Sequence, residues 1–147
     1  AINPNPREKA SFLAENIFPL KGSGQLNFII GKGPLLKQTP FPFSILLIDG
    51  HTEKQMLPLL NYKGKKLFYV ADLIPTVGHI PIPYVMGYDS RPLLTLEEKY
   101  SFLQHAYLEE ALLLLEHDPH HELVSLKQTE KGIRMDTNFS FDSYFNS

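Results

Sequence analysis

Three short strand-like runs, each ending in a polar turn with an ionisable side chain, restrict this chain to a sheet-based fold. Phe43 to Ile48 runs into Asp49-Gly50-His51-Thr52, Lys66 to Val70 into Ala71-Asp72, and Ala111 to Leu115 into Glu116-His117-Asp118-Pro119. Apolar runs this short, bounded by turn signals, match buried strands better than helices. An open sheet presents its site residues where strands end. Twelve prolines argue further against a helical bundle.

The remaining pattern fills out the sheet. Gln55 to Tyr62 and Lys66 to Val70 read as a hairpin around Lys63-Gly64-Lys65. Leu123 to Lys127 and Ile133 to Met135 read as a second hairpin around Glu130-Lys131-Gly132, followed by a polar, Phe-rich tail. Leu26 to Ile30 reads as a further short strand. It ends in the turn Gly31-Lys32-Gly33-Pro34, which lacks the Gly-Lys-Ser/Thr of a phosphate loop.

Two helices are expected. Ala10, Leu13, Ala14 and Ile17 stand at helical spacing between Arg7 and Ile17, with Pro19 closing the helix. Thr95-Leu96-Glu97-Glu98 has the form of a capping box, with Thr95 as N-cap and Glu98 reaching back. The helix it opens runs from Leu96 to about Glu110 and buries Phe102, Leu103, Ala106 and Tyr107 on one face. Between the sheet and this helix, Leu73 to Pro92 forms a long loop punctuated by Pro75, Pro81, Pro83 and Pro92. Loops of this length in compact domains tend to be functional. The order implies an α/β (α+β) layer, one sheet with helices on one face, in a single domain over 1–147.

Charge and composition exclude several partners. The net charge of −2 gives no footprint for nucleic acid or an anionic membrane. No apolar stretch approaches the ~18 residues of a membrane span. The N-terminal Ala1-Ile2-Asn3-Pro4-Asn5-Pro6 lacks the basic and apolar regions of a signal peptide, and Asn138-Phe139-Ser140 is a sequon by letters only. Cysteine is absent, which removes disulfides and thiolate ligands and fits a reducing, cytoplasmic location. The chain starts at Ala1, consistent with a processing point, a cleavage site or an expression boundary.

The turn residues carry the chemistry. An imidazole, a carboxylate and a second imidazole are ordinary donors for zinc or a similar divalent ion. His51, Asp72 and His117 are therefore candidate metal ligands; the bland alternatives are a loop histidine, a turn cap and a surface histidine. His79, in the long loop, is a candidate substrate contact or a satisfied loop residue. Tyr84 and Tyr88 could hydrogen-bond a substrate carbonyl or developing oxyanion, or simply pack at a rim. Asp118 either orients a ligand histidine or makes an Asp-Pro turn. His105 reads as a surface or core residue of the helix, and His120 and His121 as a solvated loop.

Together these segments resemble the C-terminal half of the metallo-β-lactamase-fold hydrolases, in the group that includes lactonase-like enzymes. The resemblance rests on Ile48-Asp49-Gly50-His51-Thr52, Tyr69-Val70-Ala71-Asp72-Leu73-Ile74-Pro75, the stretch from His79 to Pro92, and Leu115-Glu116-His117-Asp118-Pro119. It implies half of a four-layer αββα sandwich and a two-metal centre, with zinc the usual ion and iron or manganese as alternatives. By resemblance His51 serves one ion, Asp72 bridges both, and His117 serves the other. Asp72, His79 and Tyr88 would take part in catalysis, and His79, Tyr84 and Tyr88 would contact a small-molecule ester, lactone or related substrate. The family's other ligands stand in a His-x-His-x-Asp-His motif, which does not occur here. About six ligands are needed for two ions. The isolated chain is therefore expected to bind metal weakly and to pair, through an open sheet face, with an N-terminal half or a second copy. The competing reading is a non-catalytic interaction module that kept the sheet.

Overall fold

Lys63 and Gly64 sit at φ 49° and 77°, the left-handed pair that a tight two-residue hairpin requires. They fold Gln55–Tyr62 (β3) back onto Lys65–Tyr69 (β4), close to the expected hairpin. A computed structural model describes residues 4–146, in two compact units, Ala1–Lys32 and Gly33–Ser147. The second unit holds the sheet. Its strands follow chain order: Leu35–Leu36 (β1), Ser44–Ile48 (β2), β3, β4, Leu112–Leu114 (β5), Leu123–Thr129 (β6) and Gly132–Phe139 (β7). All neighbours are antiparallel except β4 and β5, which run parallel and need a long crossover.

That crossover contains the long loop and the helix α1 (Pro92–Leu108), which packs on one sheet face. Strand alternation sorts the core in two. Phe68, Leu113 and Val124 join Phe102, Leu103 and Ala106 of α1. Leu67, Leu112 and Leu123 turn to the opposite face and meet Phe145 of the short helix α2 (Phe141–Phe145), with Phe141 and Tyr144 packed around them. The segment read as a polar tail thus covers part of the second sheet face. Each fully buried Leu or Phe contributes roughly 1.5–3 kcal/mol to this packing.

The capping-box expectation is corrected. Arg91, not Thr95, is the N-cap, because Pro92 supplies a helix-ready φ at the first helical position. Thr95 lies inside the first turns, with Oγ1 leaning toward the Arg91 carbonyl at 3.4 Å. Glu98 is thereby released from capping its own helix and accepts instead from the amides of Asp49 and Gly50, at 2.7 and 2.9 Å. Of the expected apolar face, Phe102, Leu103 and Ala106 are buried, while Tyr107 is exposed.

The first unit departs further from expectation. Over Arg7 to Leu13 the expected helix does not form; Asn5 Oδ1 captures the amides of Arg7 and Glu8, in a segment of turns, and only Ala14 to Ile17 of the expected span are helical. The helix lies over Ala14–Gly22 and passes through Pro19. Leu26 to Ile30 makes no ladder, and Phe28 and Ile30 are exposed; the edge position beside β2 belongs to β1. Among the described residues no helix is long and apolar enough to cross a membrane.

Candidate metal centre

Strand direction gathers the site. β2 is antiparallel to β3, β3 to β4, and β4 is parallel to β5, so β2, β4 and β5 all point the same way. Their C-terminal ends share one edge of the sheet, and the turns that follow carry His51, Asp72 and His117. At the end of β4 the backbone breaks sharply: Ala71 takes φ 40°, a left-handed conformation unfavourable for a residue with a Cβ. This kink opens the 3-10 turn Ala71–Leu73 and places Asp72 at the edge.

Asp72 stands between the two histidines. His117 Nε2 lies 3.0 Å from its Oδ1, and His51 Nε2 lies 3.5 Å from its Oδ2. Gln55, first residue of β3, donates from Nε2 to the same Oδ2 at 3.3 Å. The far side of His51 is held by Asp89, whose Oδ1 is 2.8 Å from Nδ1. Tyr69 donates to Glu116 beside this group, and burial together with that bond pushes its hydroxyl up to about 12.

The turn carrying His51 is fixed by the start of α1. Besides the two bonds to Glu98, Gly50 O accepts from Arg91 N at 2.8 Å, and Asp49 O accepts from Arg91 Nη1 at 2.7 Å. The Asp49 side chain bonds Lys54, which holds its carboxyl below the usual range against a smaller opposing effect of burial. Only glycine fits at position 50: a Cβ there would lie 2.5 Å from Thr95 N and 2.7 Å from Thr95 Cα.

The long loop is clamped rather than loose. Lys99, with no exposed surface, donates to the carbonyls of His79 at 3.0 Å, Pro81 at 3.1 Å and Tyr84. Burial pulls its ammonium down to about 8, against the opposing pull of Asp89. His79 is half-buried, bonded through Nδ1 to Thr76 at 2.9 Å, and pushed down first by burial and then by Lys99. Tyr84 and Tyr88 stand on the loop surface, 62% and 79% exposed. The structure therefore brings His51, Asp72 and His117 together and leaves His79, Tyr84 and Tyr88 on the flanking loop.

Of the two readings of Asp118, the turn is the one the structure shows. The carboxylate does not touch His117; it accepts from the amides of Val77, His120 and His121 and lies 2.9 Å from His121 Nδ1. Burial raises its pKa, but these hydrogen bonds outweigh that and hold it at about 2. His121 is thus tied to Asp118 rather than solvated, and His105 stacks on Phe68. Asp89, Glu98 and Lys99 escaped the sequence reading. Asp89 stood in view only as part of the stretch from His79 to Pro92, and Glu98 was assigned to a cap.

The donor set can be tested against an ion. Zinc holds nitrogen and oxygen donors at about 2.0–2.2 Å, so two donors on one tetrahedral ion stand about 3.4 Å apart. The 3.5 Å and 3.0 Å separations from Asp72 to the two imidazoles fit that spacing. Each ion position would receive one imidazole and one oxygen of the shared carboxylate. Among the described residues no group of three or more donors converges to hold an ion unaided.

No protein-family model and no curated protein sequence matches the chain. Solved structures do. A probable metal-dependent hydrolase from Staphylococcus aureus superposes with a TM-score of 0.74 at 21% identity, over 94% of this chain and 47% of that one. AidC, a dizinc quorum-quenching lactonase solved with a product, N-hexnoyl-L-homoserine, gives 0.67 at 24% identity, over 93% and 48%. The hydrolase AbOPH of the beta lactamase superfamily gives 0.68 at 16% identity, over 84% and 42%. The chain thus spans about half the length of the structures it matches. At these identities the likeness is one of fold: the chain has the architecture of roughly half of a metallo-β-lactamase fold.

Proposed function

We propose that this chain forms one side of a binuclear metal-dependent hydrolase centre that cleaves an ester, lactone or related bond. One observation carries the reading: the carboxylate of Asp72 stands between the Nε2 atoms of His51 and His117, each delivered by a different strand end. These three residues would hold two divalent ions, with zinc favoured by the imidazole and carboxylate donors. Such ions supply a water acidified to near-neutral pKa as the hydrolytic nucleophile. His79, Tyr84 and Tyr88 would meet the substrate from the clamped loop. The solved structures of like fold, described as metal-dependent hydrolase and dizinc lactonase, support the reading.

The remaining ligands would come from outside these 147 residues, from a half carrying His-x-His-x-Asp-His that packs its sheet about 10 Å from this one. The test is a zinc titration of the chain alone and after mixing with such a half of ~100–150 residues, the size of a comparable half-domain. The chain alone should bind zinc weakly; the assembled pair should bind two ions and hydrolyse esters or lactones. Tight binding of two ions by the monomeric chain would overturn the shared-site proposal. A pair that assembles but binds no zinc would point to the interaction module instead.

A further inference from the structure

We propose that Asp89 is a positioning residue that fixes the proton of the neutral His51 ring on Nδ1 and leaves the Nε2 lone pair facing Asp72. Asp89 is 2% exposed, and its Oδ1 lies 2.8 Å from His51 Nδ1. A carboxylate oxygen only accepts, so the ring nitrogen beside it must donate. In a neutral imidazole that choice leaves the other nitrogen without a proton.

The pairing is built into the backbone. Ser90 N donates to His51 O at 3.0 Å and Arg91 N to Gly50 O at 2.8 Å, which zips the end of the loop alongside the histidine turn. Asp89 N is itself held by Met86 O at 3.1 Å. A packing role alone explains the carboxylate poorly. Its second oxygen, Oδ2, is buried and finds no hydrogen-bond partner among the described residues. An unmet buried acceptor is costly, and an amide or hydroxyl could fill the space with less penalty.

The consequence lies on the other side of the ring. With Nδ1 donating, Nε2 and Asp72 Oδ2 are two acceptors facing each other at 3.5 Å, beyond a good hydrogen bond. A cation placed between them would be met by both, with Gln55 Nε2 still donating to Oδ2. Were the proton on Nε2, His51 would donate to Asp72 and lose its capacity to bind an ion. Asp89 thus selects His51 as a ligand rather than a hydrogen-bond donor. The ligand half of this inference rests on the proposed metal centre; the placement of the proton does not.

The experiment is nitrogen-15 NMR of the metal-free full chain at a pH where histidine is neutral, with His51 assigned by loss of its signals in His51→Gln. The expected spectrum shows His51 protonated on Nδ1 and unprotonated on Nε2, with the preference weakened in Asp89→Asn, whose amide oxygen can still accept, and lost in Asp89→Ala. Zinc added to the same samples should perturb Nε2, with an affinity that Asp89→Asn lowers roughly 10- to 100-fold. If Asp89→Ala fails to fold, the isosteric Asp89→Asn and the unmodified chain still decide the matter. A His51 protonated on Nε2 in the unmodified chain, or an unchanged tautomer in a folded Asp89→Ala chain, would overturn the inference. The expected tautomer with no response at Nε2 even at saturating zinc in the assembled pair would leave the role of Asp89 standing and overturn the proposed metal centre.

Discussion

Replacing Gly50 with alanine should cost the fold about 3 kcal/mol, although the change adds a single methyl group. The new Cβ would sit 2.4 Å from Thr95 Oγ1, 2.5 Å from Thr95 N and 2.7 Å from Thr95 Cα. The hydroxyl can rotate away, but the other two atoms are helix backbone. To restore ordinary contact at 3.4 Å the histidine turn must retreat from α1 by about 0.9 Å. The bonds joining them are Glu98 to the amides of Asp49 and Gly50 at 2.7 and 2.9 Å, and Arg91 N to Gly50 O at 2.8 Å. Stretched by that much, each passes beyond about 3.5 Å and is lost. The two bonds to the carboxylate are worth roughly 1.5–3 kcal/mol each and the backbone bond about 1 kcal/mol, and partial relaxation recovers some of the total. Urea denaturation of the chain, with the m-value checked for constancy, measures the loss. Gly87→Ala is the control, since a Cβ there meets nothing within 4 Å. A Gly50→Ala chain within about 0.5 kcal/mol of the parent, the usual range for neutral surface changes, would refute the close approach.

Two further predictions concern pH. Burial lowers Lys99 from 10.5 to about 8, so between those values the unfolded chain binds more protons than the folded one, and stability should rise with pH by up to about 3 kcal/mol. Urea midpoints across this window should climb for the parent and stay flatter for Lys99→Met; parallel curves would count against a charged, buried Lys99. Asp118, held at about 2 against 3.8 unfolded, contributes stability that is present above pH ~4 and lost as pH falls toward 2, on the order of 2 kcal/mol. Thermal melts should show this acid-side loss reduced in Asp118→Asn, and an identical acid limb would contradict the hydrogen-bond set drawn around Asp118.

Much of the sheet was legible because its signals are local. The apolar runs ending at Ile48, Val70 and Leu115 and the Lys63-Gly64 turn each depend on a few neighbouring residues. Where two local signals competed, reading failed. Thr95-x-x-Glu98 has the letters of a capping box, yet Pro92 starts the helix earlier and frees Glu98 for the turn of His51. Leu26 to Ile30 has the letters of a strand, yet no neighbouring strand pairs with it. Asn5 looked like part of a proline-rich lead, while its side chain redirects the amides that a helix would have used.

The sequence by itself determined the donor chemistry of the candidate site and the strand ends that carry it, since both follow from residue type and short-range pattern. Only the tertiary structure decided that β2, β4 and β5 point the same way, which is what makes three separated turns into one site. It also decided the partners: Asp89 for His51, Glu98 for Asp49 and Gly50, and Asp72 for His117, pairs separated by 38, 49 and 48, and 45 residues. The reason is physical. A buried carboxylate has no preferred partner until the folded backbone brings a donor within about 3 Å, and at such separations no local propensity specifies which donor that is.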